Sequence, residues 1–172
     1  MSELQRPSDF FSPSEIDQLR EISDWRAAAS VAHCWSVILL TWVVVSIWTN
    51  PLTVLLGIMI IGTRQLGLFV LTHDASHMAL FSNRKLNDWV AQWVLNRPHT
   101  DASIDVYRRY HIQHHLHTQQ ADDPDLALSV PFPISKKSLR RKFIRDLTGQ
   151  TGWKQYSRLI NSAFSGDTWR QK

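Results

Sequence analysis

A chain of 172 residues has room for one ordinary domain, which excludes a large multidomain machine. It carries 19 Lys or Arg against 15 Asp or Glu, and its single cysteine, Cys34, excludes a disulfide framework. The charge is segregated: between Val31 and Leu71 the only charged residue is Arg64, whereas residues 136 to 172 hold ten Lys or Arg against Asp146 and Asp167.

Residues 1–26 read as an N-terminal tail in which Glu3, Asp9, Glu15, Asp17, Glu21 and Asp24 outnumber Arg6, Arg20 and Arg26. A long acidic lead is wrong for a cleavable secretion signal. Within it, Ser12-Pro13-Ser14-Glu15 has the residue order of a capped start and predicts a short surface helix.

Residues 27–71 predict a transmembrane hairpin of two spans, 27–48 and 52–71. At a rise of about 1.5 Å per residue each covers roughly 30 Å, the thickness of a bilayer's apolar core. Thr49, Asn50 and Pro51 break them apart, because proline disfavours helical geometry in the residue before it and Asn accepts turns. The turn is uncharged and the basic residues flank the hairpin, so the positive-inside tendency puts both ends, and the histidines that follow, in the cytoplasm. A buried hairpin in a soluble protein would not need apolar residues on every face. Cys34, inside the first span, reads as a small packing residue rather than a nucleophile. If the second span continues as one helix, Arg64 lies nine residues before His73 and on the opposite face, which suits anchoring or pairing with a further segment better than a role at a metal.

Residues 72–128 concentrate the chemistry. HDASH (73–77) and HIQHH (111–115) hold five of the eight histidines. His73 and His77 stand at i and i+4; His111, His114 and His115 stand at i, i+3 and i+4 on a helix predicted over Asp101 to Thr118, so each group shares a helix face. Neutral imidazole suits Fe, Zn, Cu or Ni, and clustered imidazoles without metal would set titrating groups beside one another for no gain. Surface histidines of a basic protein would explain a lone HxxxH, but not two such groups. His117 rotates off the second face and reads as solvated or supporting, with ligation as the alternative; His99 and His33 read as structural. Asp74, Asp105, Asp122 and Asp123 suit capping, solvation or the orienting of a ligand imidazole, and none is taken as catalytic. Between the motifs, Leu86, Trp89, Val90, Trp93 and Val94 follow helical spacing and predict an amphipathic helix at a lipid boundary or against another helix. Because His73 follows the second span by two residues, a metal held there lies at the membrane face, within reach of a hydrophobic substrate. An all-imidazole set without thiolate suits oxygen activation by iron better than structural zinc, though geometry alone leaves zinc open. Residues 129–172 form a basic cytoplasmic segment. The pI of about 9.5 does not indicate nucleic acid, since no nucleic-acid motif accompanies charge that lies beside the spans, where anionic lipid attracts cations.

The pair HDASH and HIQHH, with THDASHMALFSN, YRRYHIQHH and DDPDL around it, resembles the first two histidine boxes, HxxxH and HxxHH, of the membrane fatty acid desaturases, over residues 40 to 155 or so. The resemblance implies an all-α membrane protein with a non-haem di-iron centre on the cytoplasmic side. Its iron ligands would be His73, His77, His111, His114 and His115, with His117 as a further candidate. It also implies removal of two hydrogens from a membrane lipid or acyl substrate, using O₂ and electrons from a donor of the ferredoxin or cytochrome b5 type. Carotenoid ketolases and hydroxylases, sterol-type hydroxylases and alkane monooxygenases share the plan. The family's third box, HxxHH or QxxHH, has no counterpart after His117, nor does its second pair of spans after Leu126. The chain therefore reads as the N-terminal half of such an enzyme, inactive alone. A non-enzymatic membrane protein that sequesters metal is the rival reading.

Overall fold

The structure is a computed structural model and describes residues 6–98 and 103–165. Among these it contains helices and no strand. Two compact units emerge: Met1–His117 with Asp122–Pro124, and Thr118–Ala121 with Asp125–Lys172.

The first unit opens with a single 3₁₀ turn, Pro7–Asp9, and the predicted surface helix, α1 (Pro13–Leu19). Ser12 and Glu15 cap α1 reciprocally: the Glu15 N–H donates to Ser12 Oγ and the Ser12 N–H to the Glu15 carboxylate. Two long helices follow, α2 (Asp24–Ile47) and α3 (Pro51–Ser76). The turn between them satisfies its own polar groups. Asn50 Oδ1 accepts from the Leu52 and Thr53 N–H groups at 3.0 and 3.1 Å, the Thr53 hydroxyl donates to the Trp48 carbonyl, and Pro51 takes the first helical position, where no N–H is needed.

Both helices are long and apolar enough to cross a membrane, and only 11 % of each one's most apolar window is buried. Leu40, Trp42, Ile47, Leu55, Ile58 and Leu66 stand exposed, so the outer faces of both helices are apolar and uncovered among the described residues. Where the two helices meet, the contact surface is built from small residues. A Cβ placed on Gly57 would come within 2.8 Å of Val45 Cγ2, and one on Gly67 within 3.1 Å of Cys34 Sγ. Cys34 therefore packs, as expected of it, and close backbone approach supplies the dispersion contacts that join two helices whose outer faces are equally apolar.

At its C-terminal end α3 does not stop at Leu71 but runs unbroken through His73 to Ser76. The chain then folds back into α4 (Arg84–Val90), which passes into a π-helical turn over Ala91–Asn96. The predicted amphipathic stripe is divided between two faces: Val90 is buried with Ala91 and Leu95, whereas Trp89 and Trp93 remain exposed. Asn87, fully buried, holds the fold-back together, its Nδ2 donating to the Ala75 carbonyl at 2.9 Å while its Oδ1 accepts the Phe81 N–H at 3.3 Å. Asp24 closes the other side, its carboxylate accepting the N–H and hydroxyl of Ser82 at 2.7 Å each. The helix carrying the second histidine group is α5 (Ile104–His117), slightly shorter than predicted; Asp101 lies outside the described residues. Gln92 accepts the Ile104 N–H at 2.8 Å and so caps its start.

The second unit comprises α6 (Leu126–Ser129), α7 (Lys136–Leu147) and α8 (Gln150–Ser165). Ser135 caps α7, and Gly149, with φ of 76°, makes the turn into α8 in a conformation a side chain would oppose. α7 gathers Lys136, Lys137, Arg140, Arg141, Lys142 and Arg145, all exposed, around an apolar edge of Phe143 and Leu147.

The Gly57 contact yields a direct test. Gly57→Leu must push Val45 aside and should destabilise the hairpin by about 1–3 kcal/mol. Gly62→Leu, on the same helix with open space at its Cβ, should cost nothing. Thermal midpoints in mild detergent distinguish them, and equal midpoints would dissolve the proposed close contact.

Candidate metal centre

Imidazoles converge where the end of α3 meets α5. His73, His77, His111 and His115 each place one ring nitrogen within 4.8 Å of the others. Their pairing follows from the two spacings: i and i+4 on each helix put two rings on one face, and the faces oppose. His111 Nε2 lies at the centre, 2.9 Å from His77 Nε2 and 3.0 Å from His115 Nε2. His111 Nε2 cannot pair with both neighbours through protons alone, since a ring nitrogen carries either one proton or one lone pair. A cation among them would satisfy all three lone pairs at once. Separations of about 3 Å are those of nitrogens that share one ion at metal–nitrogen bonds of about 2.1 Å. The donor set thus suits a borderline divalent metal that accepts several imidazoles.

Supporting contacts fix which nitrogen each ring offers. His73 Nδ1 lies 3.2 Å from Asp74 Oδ1, leaving Nε2 for a metal. His114, the fifth predicted ligand, stands beside the quartet, with its ring centroid 5.7 Å from that of His115 and 6.2 Å from that of His111. Its Nδ1–H donates to Asp123 at 2.7 Å, and the Asp123 side chain is 1 % exposed, so this carboxylate is withdrawn from water and held for His114. Asp105 instead pairs with Arg108, and the Asp122 carbonyl accepts from Gln113. His117 ends α5, half-buried and outside the quartet. His33 is on α2 against Arg64, and His99 lies outside the described residues.

Two residues that position the site carried no chemical motif. Tyr107 stacks on His111 with rings 8° from parallel and centroids 5.5 Å apart; its place at i−4 from His111 was the available signal. Arg108 donates to the Ser76 carbonyl at 3.0 Å, to Asp105 at 3.0 Å and to Asp88 at 2.5 Å, joining the end of α3 to α4 and α5. The crowding also sets the charge state. Burial, then the neighbouring His73, His115, His77 and His114, push His111 down from 6.5 to about 4, and burial followed by His73 and His115 lowers His77. These imidazoles are thus neutral at physiological pH, as metal ligands must be.

The sequence profile of the fatty acid desaturase family matches residues 49–172. The chain belongs to that family. The match takes in both histidine motifs and identifies this desaturase-family chain as a member of a group of oxidoreductases. Comparison with curated proteins and with solved structures gives no match.

A pH dependence follows from the His111 shift. In the metal-free protein, unfolded His111 takes up its proton near 6.5 and folded His111 near 4, so between these values the unfolded state binds more protons. The contribution is complete above pH 6.5 and is lost as the pH falls towards 4. Thermal midpoints between pH 7 and 4.5 should fall more steeply for the wild type than for His111→Gln, which cannot titrate. Parallel slopes would contradict it.

Proposed function

We propose that this chain carries the metal-binding core of a membrane-bound fatty acid desaturase, which removes two hydrogens from an acyl chain. The observation that supports this most directly is the convergence of His73 and His77 with His111 and His115 immediately beyond the apolar stretch of α3. In this reading α2 and α3 cross the bilayer, both ends and the quartet face the cytoplasm, and the acyl chain approaches along the lipid side. The ligands are His73, His77, His111, His114 and His115, with His117 in reserve. A bound pair of irons supplies O₂ reduction by two electrons from a ferredoxin or cytochrome b5 type donor. With two protons, the two hydrogens removed from the acyl chain leave as part of two waters, and the chain gains one double bond.

The protein's own groups do the positioning. Asp123 and Asp74 select the free nitrogen of His114 and His73, Tyr107 fixes the plane of His111, and the low proton affinity of His77 and His111 keeps lone pairs available. Five imidazoles, or six with His117, fall short of two irons that need about four to six ligands each. The proposal therefore assigns the remaining positions to water, carboxylate, a further histidine-bearing segment or a second copy of the chain.

Two experiments test this reading. His77→Ala and His114→Ala should each lower iron bound per chain while His33→Ala does not. In a host with no other source of unsaturated lipid, residues 1–172 should leave the acyl profile unchanged until a segment bearing a third histidine box is co-expressed. Undiminished iron in both box variants would remove the site, and unsaturated chains from residues 1–172 alone would show that five imidazoles suffice. For topology, reporters fused at Met1 and Lys172 should both read cytoplasmic and a tag at Asn50 should be reached from the opposite side; a Lys172 reporter on the far side would sink the hairpin.

A further inference from the structure

The second unit is helical but has no core of its own. None of its described residues is buried, and α7, 12 residues long, is of a length at which a helix in water depends on packing of an apolar face. That face is present. Leu139, Phe143 and Leu147 recur at i, i+4 and i+8 and so share one side of α7, with Phe143 58 % and Leu147 85 % exposed. On α8, Trp153, Tyr156 and Ile160 recur at i, i+3 and i+7 and are exposed as well. Ser138, Arg141 and Arg145, on the opposite side of α7, line a groove with Leu128 and Phe132, so the apolar stripe points away from that contact.

The charge around the stripe says what covers it. From Asp125 to Ser165 the chain carries eight Lys or Arg against Asp125 and Asp146, and Asp146 lies 3.6 Å from Arg145. Lys136 and Arg140 each stand three residues before a member of the stripe, Leu139 and Phe143, and therefore border it. Their aliphatic stems can follow an apolar surface while the charges reach the polar layer above. A helix with aliphatic and aromatic residues on one side and Lys and Arg around it suits the plane of a membrane surface, its apolar side sunk among headgroups and upper acyl carbons. Tryptophan and tyrosine, as on α8, favour the same boundary. Protein interfaces are depleted in Lys, whereas an anionic leaflet attracts every Lys or Arg close to it.

We propose that α7 is an in-plane anchor that docks on an anionic lipid surface, with Leu139, Phe143 and Leu147 inserted and Lys136 and Arg140 against lipid phosphates. Docking covers the face that the unit leaves open, and the excess of cations makes it selective for anionic over zwitterionic lipid. The inference rests on the hairpin crossing a bilayer, as proposed above: the hairpin tethers the unit to the surface and so supplies the local concentration that one short amphipathic helix needs.

The test uses the full chain, carrying Cys34→Ala, in vesicles of phosphatidylcholine alone or mixed with phosphatidylglycerol. An environment-sensitive fluorophore is attached at Leu147→Cys or, on the opposite side of α7, at Arg141→Cys. With phosphatidylglycerol present the label at 147 should shift to the blue and be quenched by a nitroxide near the lipid headgroup, while the label at 141 stays open to aqueous iodide. Lys136→Gln with Arg140→Gln should lower the ratio of docked to undocked chains about fivefold for each charge removed. High salt should act in the same direction, and Phe143→Ser should release the helix even at low salt. Equal emission in both kinds of vesicle, or no response to the double variant, overturns the anionic assignment. Water-like emission at 147 in every vesicle overturns lipid docking and leaves the stripe to a protein, and matching shifts at both positions overturn the in-plane orientation. A wild-type chain released from membranes by alkaline carbonate would fail the hairpin reading itself. One that resists extraction yet keeps a water-like label at 147 fails this inference alone.

Discussion

The guanidinium of Arg108 joins three helices at one point, and the histidine cluster depends on that junction. It donates to the Ser76 carbonyl and reaches that of Ala75, both at the end of α3, while Asp88 on α4 and Asp105 on its own helix balance its charge. Helix ends leave carbonyls without internal partners, and a cation there also meets the negative end of the helix dipole. The residue is one turn before His111, so the contact that satisfies the end of α3 simultaneously places His111 opposite His77. Asn87 donates to the same Ala75 carbonyl from α4, and the fold-back is thereby held from two sides. With the Arg108 side chain 14 % exposed, these bonds form in surroundings where breaking them leaves a charge unpaired, which is costly.

Periodicity made much of this architecture legible. The hairpin was readable from two uniformly apolar stretches separated by Asn50 and Pro51, and α5 from the i, i+3, i+4 order of its histidines, because helix geometry converts sequence spacing directly into a shared face. What the sequence did not show are the partners that lie far along the chain. Asp88 lies 20 residues from Arg108 and Ser82 lies 58 from Asp24; no local pattern links such residues, since tertiary folding alone brings them together. Asp123 is intermediate: a carboxylate near the second motif was noticed, but its burial against His114 depends on how the chain turns after α5. The π-helical turn was hidden as well, since a single change of register leaves the hydrophobic spacing almost intact.

The hairpin and the cluster use opposite strategies. Along α2 and α3 cohesion comes from the absence of side chains, with Gly57 and Gly67 admitting Val45 and Cys34 to close range. Around the imidazoles it comes from saturated polar contacts: Asp123, Asp74, Asn87 and Arg108 each have named partners, and no buried side-chain nitrogen or oxygen among the described residues lacks one. A site whose ring nitrogens must stay within a few tenths of an ångström of one another needs the second kind of support.

The unbroken course of α3 from Pro51 to Ser76 makes the helix a gauge of bilayer thickness. No proline or π-turn interrupts it between the apolar stretch and His73, so with the hairpin in a membrane the imidazoles ride on a rod whose other end is fixed by the Asn50 turn. A thicker hydrocarbon layer draws the rod inward or stands it more upright, and a thinner one lets it protrude or tilt, at a cost of fractions of a kcal/mol per ångström. The height of the imidazole cluster above the lipid plane then depends on the length and saturation of the surrounding acyl chains, and saturation is the property that a desaturase alters.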